Sequence, residues 1–236
     1  MDTPIFINMK YYFAPVIGLS CLFVLFLLSS CRSLPPETPD SAQPPAEKTA
    51  VTEKGGTEHA VTEIPRPPEK IMGKGMAAEE KLAHFLLSNN TKADSDFVRS
   101  LAGIYIEEAA VEGVNHDVAF AQMCLETGSL NYGGLVTPDM NNFCGLGSTG
   151  VRNPDGKPER GNVFPDPRTG VRAHIQHLKA YATNEPLNKE VVDPRYRYVK
   201  LGVSPTIHGL AGRWAADALY SRKIKAILHQ LYEFAF

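Results

Sequence analysis

Residues 115–147, NHDVAFAQMCLETGSLNYGGLVTPDMNNFCGLG, pass from an apolar helix pattern into a segment rich in glycine and asparagine. Asn115 can cap this helix, and Thr127-Gly128 ends it. Glu126 therefore lies at the C-terminal end of the helix, where the helix dipole disfavours a carboxylate and raises its proton affinity. This placement suits a general acid that works near neutral pH, and the alternative is a solvated glutamate at a helix end.

The sequence on either side predicts further helices and one β-rich excursion. Helical patterns cover residues 77–87, a segment from a cap at Asp94 or Ser95 to Gly113, and residues 168–182, 206–213 and 215–234. The polar segment 128–168 is too long for a loop without structure, and Asp155-Gly156 indicates a β-hairpin within it. We therefore expect a mostly helical α+β domain over residues 76–236.

The segment after Glu126 combines amide side chains with aromatic rings close to glycines. Its candidate binding residues are Tyr132, Asn141, Asn142 and Phe143. Amides can hydrogen-bond to sugar hydroxyl or acetamido groups, and flat rings can stack on the CH faces of a sugar. The alternative is ordinary turn chemistry, which favours the same residue types.

Several short motifs resemble those of a known enzyme family. They are Glu126-Thr127-Gly128, Tyr132-Gly133-Gly134, Asn141-Asn142-Phe143, Gly145-Leu146-Gly147, residues 164–182, Asp193-Pro194-Arg195-Tyr196, residues 210–215 and Tyr220. In this order they resemble bacterial glucosaminidases similar to glycoside hydrolase family 73, of the lysozyme-like superfamily. The resemblance implies a two-lobed lysozyme-like domain with a small β-hairpin lobe. It also implies cleavage of the β-1,4 bond after N-acetylglucosamine in the glycan strands of peptidoglycan.

The resemblance assigns roles to individual positions. Glu126 matches the catalytic acid, and Tyr220 matches the catalytic aromatic residue of the closing motif. Trp214 stands where many relatives have tyrosine, which implies that it stacks on the substrate or forms a wall of the cleft.

The second catalytic group is left open by the sequence. Glycosidases usually use two carboxylates, and the candidates between the helices are Asp139, Glu159 and Asp166. The resemblance favours Glu159, because relatives often have a second acid on the hairpin. Asp166 lies in the best-matched motif, but it could equally cap the helix that follows. A third possibility is that no second carboxylate takes part and the acetamido group of the substrate assists.

No metal or cofactor is expected. His174 and His177 lie at i and i+3 without a zinc-ligand pattern, and we interpret them as hydrogen-bonding helix residues. Cys124 and Cys144 could form a disulfide in an exported domain.

The N-terminus has the features of an export signal. An apolar run from Tyr11 to Leu28 follows Lys10 and ends at Leu28-Ser29-Ser30-Cys31, which resembles the bacterial lipobox. We therefore expect a lipoprotein signal peptide over residues 1–30 and lipidation of Cys31. The alternative is an N-terminal transmembrane helix.

A proline-rich stretch without aromatic residues follows Cys31. We expect residues 31–75 to be a disordered tether, because this composition cannot bury enough apolar surface to fold. The protein is then exported and held in the cell envelope by its lipid anchor. Arg32 after Cys31 favours an outer membrane, with the domain facing the periplasm.

The charge balance excludes one class of partner. The chain has 24 Lys+Arg and 26 Asp+Glu residues, a net charge of −2, so it lacks the basic surface of a nucleic-acid-binding protein. We expect a monomer that contacts glycan strands and, through its anchor, a membrane. Two other functions remain open: a lytic transglycosylase of the same broad fold, and a non-catalytic peptidoglycan-binding lipoprotein.

Overall fold

The computed structural model describes residues 64–148, 151–152 and 154–236. The expected signal peptide, Cys31 and most of the expected tether lie outside these residues. The described part contains five α-helices: α1 (Glu79–Asn89), α2 (Ser95–Glu112), α3 (His116–Thr127), α4 (Pro167–Ala182) and α5 (Tyr220–Ala235). The prediction of a mostly helical domain is confirmed. None of these helices is long and apolar enough to cross a membrane.

The helices that surround Glu126 begin and end where local signals predict. The Asp94 side chain accepts a hydrogen bond from the Phe97 N–H at 2.7 Å and caps α2. The Asn115 side chain accepts from two backbone N–H groups and caps α3. Gly113 and Gly128 end these helices in the left-handed conformation, which glycine adopts at little cost.

Helix α2 packs against α1 and α4, and α3 packs against α5. One contact sets how closely α4 approaches the loop that follows Met140. A Cβ atom at Gly170 would lie 1.8 Å from the backbone carbonyl oxygen of Asn141. No side chain fits there, so the α4 backbone itself supports the loop.

The expected β-hairpin lobe is not confirmed. Where the sequence predicts it, the described residues form one isolated antiparallel bridge, between Arg152 and Pro158. The Glu159 N–H also donates to the Val151 carbonyl at 2.9 Å. Proline has no N–H to donate, so Pro154 and Pro158 limit any longer ladder between the described residues of this segment.

Two further boundaries differ from those expected. The segment 206–213 forms only a short 3-10 helix, Ile207–Leu210, and the last helix begins at Tyr220 rather than at residue 215. Gly212 has a φ of 76°, and a bridge between Ala211 and Ala215 turns the chain before α5 can start.

The packed domain also begins before residue 76. Ile71 is fully buried, and its N–H donates to the Pro205 carbonyl at 3.1 Å. Its own carbonyl accepts from the Asn115 N–H at 2.8 Å. The sequence could not reveal this, because one buried hydrophobic side chain after a proline-rich stretch forms no periodic pattern.

A buried ion pair holds the chain after α4 against α2. The Lys179 ammonium lies 2.9 Å from the Glu112 carboxylate, and the two side chains are 2% and 1% exposed. The same carboxylate accepts from the backbone N–H groups of Asn188 and Lys189 at 2.8 and 3.1 Å. The pair therefore fixes the segment that leads from α4 towards Asp193.

Replacing Lys179 by methionine should destabilise the domain strongly. Lys179→Met keeps the length of the side chain but leaves a buried carboxylate without its cation, which costs about 3–5 kcal/mol. Equilibrium urea unfolding followed by circular dichroism measures the loss. Lys225→Met is the matched control, because Lys225 pairs with Glu69 at the surface, where such pairs contribute about 1 kcal/mol or less. Equal losses in the two variants would contradict this account.

Candidate active site

The side chain of Glu126 lies in the last turn of α3 and is partly exposed. Its Oε1 accepts a hydrogen bond from the Trp214 indole N–H at 3.1 Å and a short hydrogen bond from the Tyr220 hydroxyl. Trp214 lies in the turn before α5, and Tyr220 is the first residue of α5. The fold therefore brings together three predicted site residues that are distant in sequence.

The surroundings of Glu126 raise the proton affinity of its carboxyl group. Burial raises the pKa of Glu126 to about 7, while hydrogen bonds from Tyr220 and Trp214 act in the opposite direction. Both donors bind Oε1. Tyr220 stays a neutral hydroxyl donor, because burial holds its pKa well above the ordinary value.

The loop that follows α3 has a strained backbone. Ser129, Leu130 and Tyr132 all have positive φ angles, which residues other than glycine rarely adopt. Hydrogen bonds offset this strain: the N–H groups of Ser129 and Tyr132 donate to carbonyls of α3 at 2.8 and 2.7 Å. Tyr132, a predicted binding residue, is thereby held partly exposed just beyond Glu126.

Two of the predicted binding residues have structural roles instead. Phe143 is buried in the core. The fully buried Asn142 side chain donates to the carbonyls of Leu146 and Asn162, each at 2.9 Å, and shapes the loop. The prediction that both contact a ligand is therefore wrong, because their side chains are already enclosed by protein. Asn141 is half-buried and donates to the Phe164 carbonyl.

Trp214 does not have the exposed face that stacking on a substrate requires. It is 3% exposed, and its ring is enclosed by His174, His177 and Tyr181, with centroid distances of 5.8, 4.9 and 5.7 Å. Its indole N–H lies at the edge of this aromatic cluster and donates a hydrogen bond to Glu126. The expected stacking role is corrected to one of holding the carboxyl group in place.

The three candidates for a second carboxylate have different surroundings. Asp139 accepts a hydrogen bond from the Thr137 hydroxyl at 2.5 Å, which lowers its pKa. Asp166 caps α4, since its carboxylate accepts from the N–H and the hydroxyl of Thr169, each at 2.8 Å. These hydrogen bonds lower the pKa of Asp166. Glu159 is exposed and follows the bridge between Arg152 and Pro158.

A family model described as mannosyl-glycoprotein endo-beta-N-acetylglucosaminidase matches residues 102–233. The chain belongs to this glucosaminidase family. It is also 38% identical over 190 residues to an uncharacterized protein of Borreliella burgdorferi, and the alignment covers 78% of this chain and 90% of that protein.

Two solved structures of Staphylococcus aureus autolysin E align with the glucosaminidase at 13% identity, over 70% of this chain and 71% of theirs. One is a complex with the muropeptide NAM-L-ALA-D-iGLU, at a TM-score of 0.43. The other is a catalytic mutant in complex with the disaccharide NAG-NAM, at a TM-score of 0.42.

Behind Tyr220 the glucosaminidase has buried polar residues that sequence reasoning did not assign to the site. Gln122 donates to the Tyr220 hydroxyl at 2.8 Å, and its carbonyl oxygen lies 3.0 Å from Nε2 of His174. The hydroxyl of Tyr105 lies 2.9 Å from Nδ1 of His174. Gln122 precedes Glu126 by four residues and so shares its helix face, which is the signal that could have revealed it.

The remaining sequence hypotheses concern cysteines and metals. His174 and His177 are hydrogen-bonding helix residues, as predicted: His177 Nδ1 lies 2.7 Å from the Asp193 carboxylate. Cys124 and Cys144 are buried and free, so they do not form the disulfide considered from the sequence. Within the described ranges, no group of three or more His, Cys, Asp or Glu side chains could hold a metal ion.

Two substitutions at position 166 distinguish a helix-capping role of Asp166 from a catalytic role. Asp166→Ala removes the cap and should lower the free energy of unfolding by about 0.5–2 kcal/mol. Asp166→Asn keeps an oxygen that can cap the helix, so its stability and its rate of glycosidic cleavage should stay close to those of the unmodified enzyme. Chemical denaturation and a reducing-end assay measure the two quantities. A hundredfold loss of rate in a stable Asp166→Asn variant would instead make Asp166 catalytic.

Proposed function

We propose that this glucosaminidase is a peptidoglycan hydrolase that cleaves the β-1,4 bond after N-acetylglucosamine within glycan strands. The observation that carries the proposal is the environment of Glu126. Its carboxyl group is held on Oε1 by Trp214 and Tyr220, and burial raises its pKa to about 7. An acid with this pKa can give a proton to a leaving oxygen and regain it near neutral pH.

The geometry suggests how the proton is transferred. Oε2 of Glu126 protonates the glycosidic oxygen while positive charge develops on the sugar ring. The carboxylate that remains keeps its hydrogen bonds from Trp214 and Tyr220 on Oε1. These donors are fixed before the reaction, so they stabilise the developing anion without a cost of reorganisation.

We propose Glu159 as the carboxylate that activates the attacking water. Asp166 is less suited to this role, because both of its oxygens are engaged in capping α4. The alternative is assistance from the acetamido group of the substrate, which requires no second carboxylate.

We further propose that the hydrolase is exported and anchored by lipid on Cys31, with residues 31–75 including a tether between the anchor and the packed domain. The support is the apolar run from Tyr11 to Leu28 and the motif that ends at Cys31. This arrangement would place the domain on the periplasmic side of an outer membrane, within reach of the cell wall.

The variant Glu126→Gln tests the proposed acid. It keeps the size and most hydrogen bonds of the side chain but removes the proton, and the rate of hydrolysis should fall by about 10²- to 10⁴-fold. Release of reducing ends from purified peptidoglycan measures the rate, and sedimentation with sacculi checks that binding persists. Glu233→Gln, at an exposed position of α5, is the control and should leave the rate unchanged. Full activity in Glu126→Gln would refute the proposal.

The same assay has an expected pH dependence. Glu126 must be protonated to act, so hydrolysis should decline as the pH rises through about 7, the pKa set by its burial.

Mass spectrometry of the products distinguishes the related functions. Reducing N-acetylglucosamine ends support the proposal, and anhydro-muramic ends would show a lytic transglycosylase instead. Binding to sacculi without any product would show a non-catalytic lipoprotein.

The anchor is tested by Cys31→Ser in the full-length chain. This change should abolish incorporation of labelled fatty acid, because the thiol that accepts the lipid is lost. The hydrolytic rate of the domain should be unaffected. An unmodified protein that incorporates no fatty acid and keeps residues 1–30 in the membrane fraction would favour a transmembrane segment at the N-terminus.

A further inference from the structure

Four buried side chains form an unbroken series of hydrogen bonds that ends at Glu126. We call this series the relay; in order it consists of Tyr105, His174, Gln122 and Tyr220. Each member is 1% exposed or less, and each comes from a different helix: α2, α4, α3 and α5. Helix packing alone would be satisfied by apolar residues at these positions, so the polar series requires an explanation of its own.

The relay has a defined direction. Burial lowers the pKa of His174 to about 3, so the ring is neutral and has one N–H. The amide nitrogen of Gln122 donates to Tyr220, which leaves its carbonyl oxygen to accept from His174 Nε2–H. The other ring nitrogen, Nδ1, must then accept from the Tyr105 hydroxyl. Every donor in the relay therefore points towards Glu126.

We propose that His174 is a positioning residue whose Nε2–H fixes the orientation of the Gln122 amide and thereby directs the Tyr220 hydroxyl onto Oε1 of Glu126. The proposal rests on the proposed function, in which Glu126 is the acid. Without the His174 N–H, the amide of Gln122 can turn over and present its oxygen to Tyr220. The Tyr220 proton would then be shared with Gln122, and the carboxylate would lose a donor.

Tyr105 has a related role at the far end of the relay. Its hydroxyl donates to Nδ1 of His174, and this selects the tautomer with the proton on Nε2. If that hydroxyl is lost, the other tautomer becomes accessible, and it has no N–H to offer Gln122. A single phenolic oxygen in α2 would thus influence the acidity of a carboxyl group in α3 through three intermediate side chains.

Other titratable groups lie close to the relay. They are Cys144, near Glu126 and Tyr220; Cys124 and Tyr132, near Tyr105; and His177, near His174. Burial raises the pKa of Cys124 and Tyr132 to about 12 and that of Cys144 well above its ordinary value, so these three groups are neutral. A shift in the acidity of Glu126 on breaking the relay therefore reflects the lost donor.

The test is a titration of the Glu126 carboxyl group by ¹³C NMR in the full-length chain with labelled glutamate, the signal being identified by its loss in Glu126→Gln. In His174→Phe the pKa of Glu126 should rise by about half to one pH unit, a three- to tenfold loss of acidity. Tyr105→Phe should give a smaller rise in the same direction, and Tyr220→Phe, which removes the donor itself, the largest. His174→Gln retains an N–H that can reach Gln122 and should restore most of the acidity.

Tyr232→Phe is the matched control for Tyr105→Phe. It also removes a buried hydroxyl, one that donates to Asp117 at 2.8 Å outside the relay, so it should lower stability but leave the titration of Glu126 unchanged. The proposal is overturned if Tyr105→Phe, or a folded His174→Phe, titrates like the unmodified protein, or if Tyr232→Phe causes an equal shift. The NMR readout does not depend on hydrolysis. If the pKa of Glu126 shifts in these variants but the unmodified protein shows no hydrolytic activity, the proposed function is refuted and the role of the relay is still supported.

Discussion

The hydrogen bond between Gln122 and His174 is the contact on which the site depends, because it joins α3 and α4 in the middle of the buried relay. Each of these side chains is fully buried, and a buried polar group without a partner costs roughly 1–3 kcal/mol. Any slip of α3 along α4 would leave the Gln122 carbonyl oxygen and Nε2 of His174 without this partner. The pairing thus fixes the register of the two helices and, through Tyr220, the position of the Glu126 carboxyl group.

Two opposing effects set the acidity of Glu126. Burial favours the neutral acid, whereas the donors Trp214 and Tyr220 favour the anion. If the carboxyl group were buried more deeply and had no donors, its pKa would be too high for it to release the proton. If it were exposed, its pKa would lie well below 7, and the group would be deprotonated at neutral pH. The aromatic enclosure of Trp214 by His177 and Tyr181 contributes to this balance, because a ring that cannot rotate keeps its N–H aimed at one oxygen.

Features that arise from local chemistry could be predicted from the sequence, and features that depend on depth of burial could not. Asn115 and Gly128 mark the ends of α3 through their own side chain and backbone preferences. Glu126 and Tyr220 were found because they lie in recognisable motifs. Asn142, however, has a sequence context typical of a binding residue, and only its burial shows that its amide is already used by the loop. Tertiary packing determines that enclosure, and no short pattern encodes it.

The unpaired thiols of Cys124 and Cys144 have a consequence for where this domain can reach its native state. Because no disulfide joins these two residues, the packed region needs neither an oxidant nor a disulfide isomerase to pair them during folding. The same structure should form in a reducing cytosol and in an oxidising compartment. Reductants that disable many secreted proteins should leave this domain intact, so its integrity would be independent of the redox potential around it.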